Sequence, residues 1–162
     1  EATSEGIELD LSYALADNLF LDFTGSSMTA ETNTDIPSLG ASKGDRLPNT
    51  VEQQYNIGLT YEYSSPLMGL SSFIRADYLY YGDSFATFGQ SEDMFSPDYS
   101  KLNINWGMEI DENNSIQISI DNATDERTEA FKYAVSSPSW RPRDYMQWIP
   151  PRSITFAYRY NY

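Results

Sequence analysis

RSITFAYRYNY, residues 152–162, decides the fold of this chain. From Ile154 to Tyr162, every second position carries Ile, Phe or Tyr, and smaller or polar residues lie between them. Successive side chains of a β-strand point to opposite faces. The stretch therefore predicts a strand with one apolar, aromatic face and one polar face.

The same alternation recurs along the chain and predicts an all-β protein without a convincing helix. The predicted strands lie near residues 5–14, 18–28, 52–63, 71–82, 99–111, 114–122 and 152–162. Short turns rich in Asp, Asn, Ser, Pro and Gly alternate with long polar loops at about 30–50, 82–98 and 122–151. This rhythm predicts an antiparallel up-and-down meander of about seven strands, with all the short turns at one end.

Composition excludes several classes of function. The chain has 162 residues, with 10 basic and 24 acidic side chains and a net charge of −14, and it has no His and no Cys. Such a charge disfavours nucleic acid as a partner, and the missing residue types exclude Ser-His-Asp and Cys-His catalytic devices. We therefore predict that the chain is not an enzyme and that it holds no cofactor and no metal.

The strand pattern by itself fits more than one kind of β-protein. An apolar face opposite a polar face suits a transmembrane barrel, whose strands have a lipid side and a wet lumen side. A soluble β-sandwich alternates in the same way, so a carbohydrate-binding sandwich with exposed aromatic residues is the alternative. A self-contained barrel of about eight strands is a third interpretation.

Several motifs, in a consistent order, resemble the C-terminal barrel region of TonB-dependent receptors. They are GIELDL at 6–11 followed by DNLFLDF at 17–23, GDRLPNT at 44–50 before NIGLTYEY at 56–63, FIRADYLYYGDS at 73–84, and IDNATDER at 120–127. The final strand resembles the terminal strand that the barrel-assembly machinery recognises. Its signal residues are Phe156, Tyr158, Tyr160 and Tyr162.

This resemblance implies both an architecture and a function. Family members are 22-stranded barrels of the bacterial outer membrane, closed by an N-terminal plug, so this chain is expected to be a C-terminal section of such a barrel without the plug. The implied function is import of a scarce nutrient with energy from the TonB system, through contacts in the missing N-terminal region. A ferric siderophore or related iron complex is the expected cargo, and a glycan or cobalamin is the alternative.

The last long loop is the predicted ligand-binding region, because basic and aromatic residues gather there in an otherwise acidic chain. The candidate residues are Arg127, Lys132, Trp140, Arg141, Arg143, Tyr145 and Trp148. Cations and aromatic rings suit an anionic small molecule bound at external loops. The competing interpretation is local charge pairing with Asp125, Glu126, Glu129 and Asp144.

A section cut from a barrel has two open strand edges and an apolar face that lipid no longer covers. Outer-membrane lipid is therefore an expected partner, and the isolated section is expected to self-associate in its absence.

Overall fold

The computed structural model describes residues 1–66, 68–135 and 143–162, and its regular structure is almost entirely β-strand. The strands are β1 (Ala2–Ala16), β2 (Leu19–Thr32), β3 (Gln53–Ser64), β4 (Ser71–Tyr81), β5 (Ser84–Phe85), β6 (Phe95–Ser96), β7 (Tyr99–Glu109), β8 (Asn114–Asp121), β9 (Glu129–Val135), β10 (Arg143–Trp148) and β11 (Ser153–Tyr160). Two 3₁₀ turns, Pro37–Leu39 and Glu92–Met94, lie in the long loops. Over the described ranges, no helix is long and apolar enough to cross a membrane.

The long strands form one seven-stranded sheet in the order β1-β2-β3-β4-β7-β8-β11. Every neighbouring pair is antiparallel, and each strand pairs with the next long strand along the chain. The predicted all-β antiparallel meander is therefore confirmed. A β-sandwich requires two sheets packed face to face, whereas the described chain has one large sheet and two small strand pairs. A self-contained barrel would join β1 to β11, which instead lie at opposite edges.

The register places apolar side chains in continuous rows across one face of the sheet. One row crosses six strands and contains Leu19, Tyr61, Ile74, Trp106, Ile118 and Phe156. On the other face, Asn105 pairs with Ser119, which pairs with Thr155. The sequence-predicted assignment of residues to the two faces is confirmed, because a single register error would have mixed the two sets.

The apolar face has no covering layer among the described residues. Leu59 is 42% exposed and Phe156 is 67% exposed, although both have apolar cross-strand neighbours on this face. The buried hydrophobic residues are few and mostly small: Ala30, Ala41, Ala86 and Ile149. They lie where the long loops fold against one another and against strand ends, so this end of the sheet contains the compact part of the chain.

The structure also differs from the sequence pattern at the long-loop end. Strands β1 and β2 pair from Ala2–Thr32 onward, well beyond the predicted ends, because backbone hydrogen bonds continue where side-chain alternation fades. The predicted loop at 122–151 contains the hairpin β9–β10, and the loop at 82–98 contains the short pair β5–β6. Two residues are too few for a period-two pattern to reveal β5 or β6. In β9, by contrast, Phe131, Tyr133 and Val135 alternate along the sequence, and the interpretation of 122–151 as a loop overlooked this signal.

Candidate functional site

The polar face is organised by Arg75 on β4. Its Nη1 lies 2.7 Å from Asp22 Oδ2 and its Nη2 lies 2.8 Å from Asp77 Oδ1. The same Nη1 donates to Thr60 Oγ1 at 2.9 Å, and Asp22 also accepts from Ser12 Oγ at 2.9 Å. The guanidinium thereby links side chains of β2, β3 and β4, since its fixed fork can serve two carboxylates at once, and Asp22 extends the network to Ser12 on β1.

Gly58 leaves the space that the side chains of this network occupy. In the register Asp22, Gly58 and Asp77 are successive partners across β2, β3 and β4. A Cβ atom at Gly58 would overlap the guanidinium of Arg75 and approach Asp77 Oδ1. A glycine at this position lets the Arg75 side chain pass over the middle strand to reach Asp22.

Two open grooves lie along the polar face, one toward each end of the sheet. The groove of about 530 Å³ near the long loops is lined by Glu8, Asp10, Asn56 and Tyr81 among others. The groove of about 360 Å³ near the short turns is lined in part by Glu109 and Arg159. No group of three or more acidic residues in the described ranges is arranged to hold a metal ion.

Arg46, in the loop between β2 and β3, joins two of the long loops. Its Nε lies 3.0 Å from Glu52 Oε1, and its Nη1 lies 2.8 Å from Asp83 Oδ2 and 3.1 Å from the Asp83 carbonyl oxygen. The guanidinium carbon also lies 5.9 Å from the ring centre of Phe85, within the range of a cation–π contact. The sequence gives no sign of this cluster, because Asp83, which joins Arg46 to the second loop, lies 37 positions away.

Asn122 ties together the two ends of the last long loop. Its Nδ2 donates to the carbonyl oxygens of Glu126 at 3.0 Å and Pro150 at 2.9 Å, and its Oδ1 accepts from the Glu126 backbone N–H. The side chain is 3% exposed and the backbone is left-handed, with φ 51°, a conformation that Asn tolerates better than most residues. Buried amides need such partners, so Asn122 determines how the loop begins and ends.

Asp125 adds a second connection between the same loop ends. Its Oδ1 accepts from the Arg152 backbone N–H at 2.9 Å, and its carboxylate also accepts from the Arg127 guanidinium. The backbone donor from Arg152, followed by the Arg127 side chain, holds the pKa of the Asp125 carboxyl below its ordinary value.

The structure separates the predicted ligand residues into different settings. Arg127 pairs with Asp125, and Lys132 Nζ lies 2.9 Å from Glu129 Oε2. Tyr145 and Trp148 are exposed on β10. The backbone of Arg143 begins β10, whereas Trp140 and Arg141 lie outside the described residues.

The predicted assembly-signal residues lie on the last strand at one edge of the sheet. Phe156, Tyr158 and Tyr160 are exposed on β11, and Tyr162 follows it. Tyr158 donates a hydrogen bond to the Asn114 side chain on β8. The aromatic side chains at alternate positions are thus displayed on the apolar face rather than packed in a core.

A sequence family described as "TonB dependent receptor-like, beta-barrel" matches residues 1–123. The chain belongs to this TonB-dependent receptor family. Members of the family are receptors and transporters of the Gram-negative outer membrane, not enzymes. A search of curated proteins found no significant match.

Solved structures of three bacterial receptors share the fold of this chain. The ferric yersiniabactin uptake receptor FyuA from Yersinia pestis superposes with a TM-score of 0.80 over 99% of the chain, at 18% identity. The ferric-catecholate import receptor Fiu from E. coli K12 gives 0.74 over 98% at 16% identity, and the siderophore receptor PiuA from Acinetobacter baumannii gives 0.72 over 99% at 17% identity. The chain spans only 24%, 21% and 22% of these three proteins.

Replacing Arg75 tests the polar-face network of this TonB-dependent receptor. We expect Arg75→Ala in the intact receptor to lower the free energy of unfolding by about 1–2 kcal/mol, since the charged hydrogen bonds are lost but the site is partly exposed to water. The free energy of unfolding of Arg75→Lys should lie between those of the native receptor and Arg75→Ala, because an ammonium cannot serve both carboxylates in the same geometry. Denaturant unfolding in detergent provides the measurement.

Lys101→Ala is the matched control, since Lys101 is a basic residue on the same face without an ion pair among the described residues. Equal destabilisation by Arg75→Ala and Lys101→Ala would contradict a special role for the network.

Asp125 should make the last loop sensitive to acid. A carboxyl with a lowered pKa stabilises the fold fully above its ordinary pKa, and this contribution disappears as the pH falls through the lowered value. The thermal unfolding midpoint of the native receptor should therefore exceed that of Asp125→Asn by a constant margin above about pH 5, and the margin should shrink below about pH 4. Glu112→Gln, which removes a carboxylate far from this loop, is the control. A margin independent of pH would show that Asp125 does not act through its charge.

Proposed function

We propose that the chain is the C-terminal section of an outer-membrane receptor barrel that imports a ferric siderophore or related iron complex. The observation that carries the proposal is the seven-stranded sheet, whose apolar face is covered by no described residue and whose opposite face is polar and contains ion pairs. In a transmembrane barrel, the first face contacts lipid and the second lines the lumen. The siderophore receptors with the same fold support the choice of cargo, with a glycan or cobalamin as the alternatives.

The orientation of the chain in the membrane follows from its connections. Outer-membrane barrels have short periplasmic turns and longer extracellular loops. We therefore assign the end with the Arg46 and Asn122 clusters to the cell exterior, and the turn at 111–113 to the periplasm. The plug and the segment that contacts TonB belong, in this proposal, to the part of the receptor preceding this chain.

Ligand contacts are proposed for the last external loop. The residues are Arg127, Lys132, Trp140, Arg141, Arg143, Tyr145 and Trp148. Because Arg127 and Lys132 already contact acidic neighbours, an anionic ligand would have to compete for them. The side chains of Tyr145 and Trp148 are exposed, so a ligand contacts them without displacing an acidic neighbour.

The apolar face also determines how we expect the isolated chain to behave in water. We propose that outer-membrane lipid covers it in the receptor, and that without lipid the chain self-associates through this face or its open edges. Light scattering that shows a monomer in detergent-free buffer would contradict the proposed self-association.

Gene deletion in the host bacterium tests the proposed cargo. Loss of the receptor that contains this chain should slow growth under iron limitation and reduce uptake of radiolabelled iron supplied as a ferric siderophore, because such complexes are too large to pass general porins. Growth in iron-rich medium should be unchanged, and the intact gene should restore uptake. Normal iron uptake combined with lost growth on a glycan, or with lost cobalamin uptake, would overturn the assignment to iron.

Variants of Tyr162 test the proposed assembly signal, which consists of Phe156, Tyr158, Tyr160 and Tyr162. Deleting Tyr162, or replacing it with Asp, should reduce the amount of receptor in the outer membrane by several-fold while total synthesis stays unchanged. Tyr162→Phe should retain insertion, because an aromatic side chain suits the membrane interface with or without its hydroxyl. Normal surface levels of the deletion variant would remove Tyr162 from this role.

A further inference from the structure

The segment 82–98, which we call the strap, lies between two other segments at the long-loop end of the sheet. It forms hydrogen bonds with the loop after β2, residues 33–52, and it lies beside the hairpin β9–β10. Within the strap, β5 pairs with β6, and the paired residues Ser84 and Ser96 are buried. The strap is therefore a folded element with a neighbour on each side.

Arg46 binds the start of the strap to the loop after β2. Its Nη1 donates to Asp83 Oδ2 at 2.8 Å and to the Asp83 carbonyl oxygen at 3.1 Å, and the guanidinium carbon lies 5.9 Å from the ring centre of Phe85. The Asn49 N–H adds a backbone hydrogen bond to the Phe85 carbonyl oxygen at 2.7 Å. The Arg46 side chain is only 16% exposed. Since hydrogen bonds to charged groups contribute more than neutral ones, replacing Arg46 weakens this side of the strap.

Lys132 on β9 binds the other side of the strap to the hairpin. Its Nζ donates to the Asp93 carbonyl oxygen at 3.2 Å and lies 2.9 Å from Glu129 Oε2. The Lys132 side chain is only 15% exposed, so these two oxygens replace much of the water around its charge. The strap thus has one cationic contact with each of its neighbours.

The two cationic contacts are joined through the interior of the strap. The ring centres of Phe85 and Phe95 lie 5.1 Å apart, and the Ala86 N–H donates to the Met94 carbonyl oxygen at 2.9 Å. Among the described residues, no hydrogen bond or ion pair joins the loop after β2 directly to the hairpin. A disturbance that passes from one to the other must therefore pass through the strap.

We propose that the strap couples the loop after β2 to the hairpin β9–β10, so that the three segments open as one cooperative unit. Coupling between distant segments can be carried by packed side chains and hydrogen bonds in unbroken series, and the contacts of Arg46, the Phe85–Phe95 pair and Lys132 form such a series. Local opening of proteins occurs in contiguous cooperative units. Releasing the strap on one side therefore makes opening easier on the other, whichever cargo the receptor imports.

Hydrogen exchange of the intact receptor in detergent, followed by mass spectrometry of its peptides, measures the opening of each segment. The variants are Arg46→Met, Lys132→Met and, as the control, Arg127→Met. Arg127 is a basic residue of the last long loop whose ion pair, with Asp125, includes no residue of the strap. Exchange at the centres of β3 and β4 is the reference for unfolding of the whole sheet.

Arg46→Met should raise the exchange rate of the backbone amides at 129–135 by about fivefold or more, although Arg46 belongs to another loop. Lys132→Met should have a similar effect on the loop after β2, because coupling between two sites is reciprocal. Arg127→Met should leave exchange in the strap and in the loop after β2 unchanged. The centres of β3 and β4 should exchange at the native rate in all three variants.

Faster exchange that stays within the strap and the segment containing the replaced residue would overturn the coupling. Equal acceleration in β3 and β4 would also overturn it, since the substitution would then destabilise the whole receptor. If Arg46→Met prevents assembly of the receptor, exchange of the loop after β2 in Lys132→Met decides by itself.

Discussion

Apolar side chains cover one face of the seven-stranded sheet, and no other described part of the chain lies against them. Such a face is stable only in apolar surroundings, because leaving each large side chain in water forgoes about 1.5–3 kcal/mol. The constraint acts on every strand, since one residue of slippage would move all the apolar side chains of that strand, such as Ile57, Leu59 and Tyr61 of β3, to the polar side. The register, the meander and the assignment of the two faces all follow from it.

The polar face meets the opposite requirement, since it carries charged and amide side chains and pairs some of its charges across neighbouring strands. Arg75 binds Asp22 and Asp77 from neighbouring strands, and Gly58 leaves the space that this requires. The long loops follow the same principle: Arg46 joins the loop after β2 to the loop after β4, and Asn122 joins the two ends of the last loop. Polar side chains thus connect elements that apolar packing cannot connect, because the apolar residues face away from the chain.

Prediction from sequence succeeded where neighbours along the chain carry the information. Alternation alone places Phe156 and Thr155 on opposite faces, and the register confirms that prediction. Prediction from sequence failed where the partners of a residue lie far away along the chain. Nothing near Arg75 indicates that it binds Asp22, which lies 53 positions away, and the Arg46 cluster gave no local signal. The basic and aromatic residues of the last loop were treated as one mixed surface, but the unforeseen hairpin places Lys132 and Tyr133 on different faces.

By itself, the sequence determined the fold class, the strand order and the two faces of the sheet, because strand side chains alternate with a fixed period and short turns force neighbouring strands to pair. Membership in the TonB-dependent receptor family was also readable from motif order, and the match over residues 1–123 supports it. Only the tertiary structure decided which charges are paired, how the loops are joined and which side chains of the last loop remain exposed. These features depend on contacts between segments far apart in sequence, and no local period encodes such contacts.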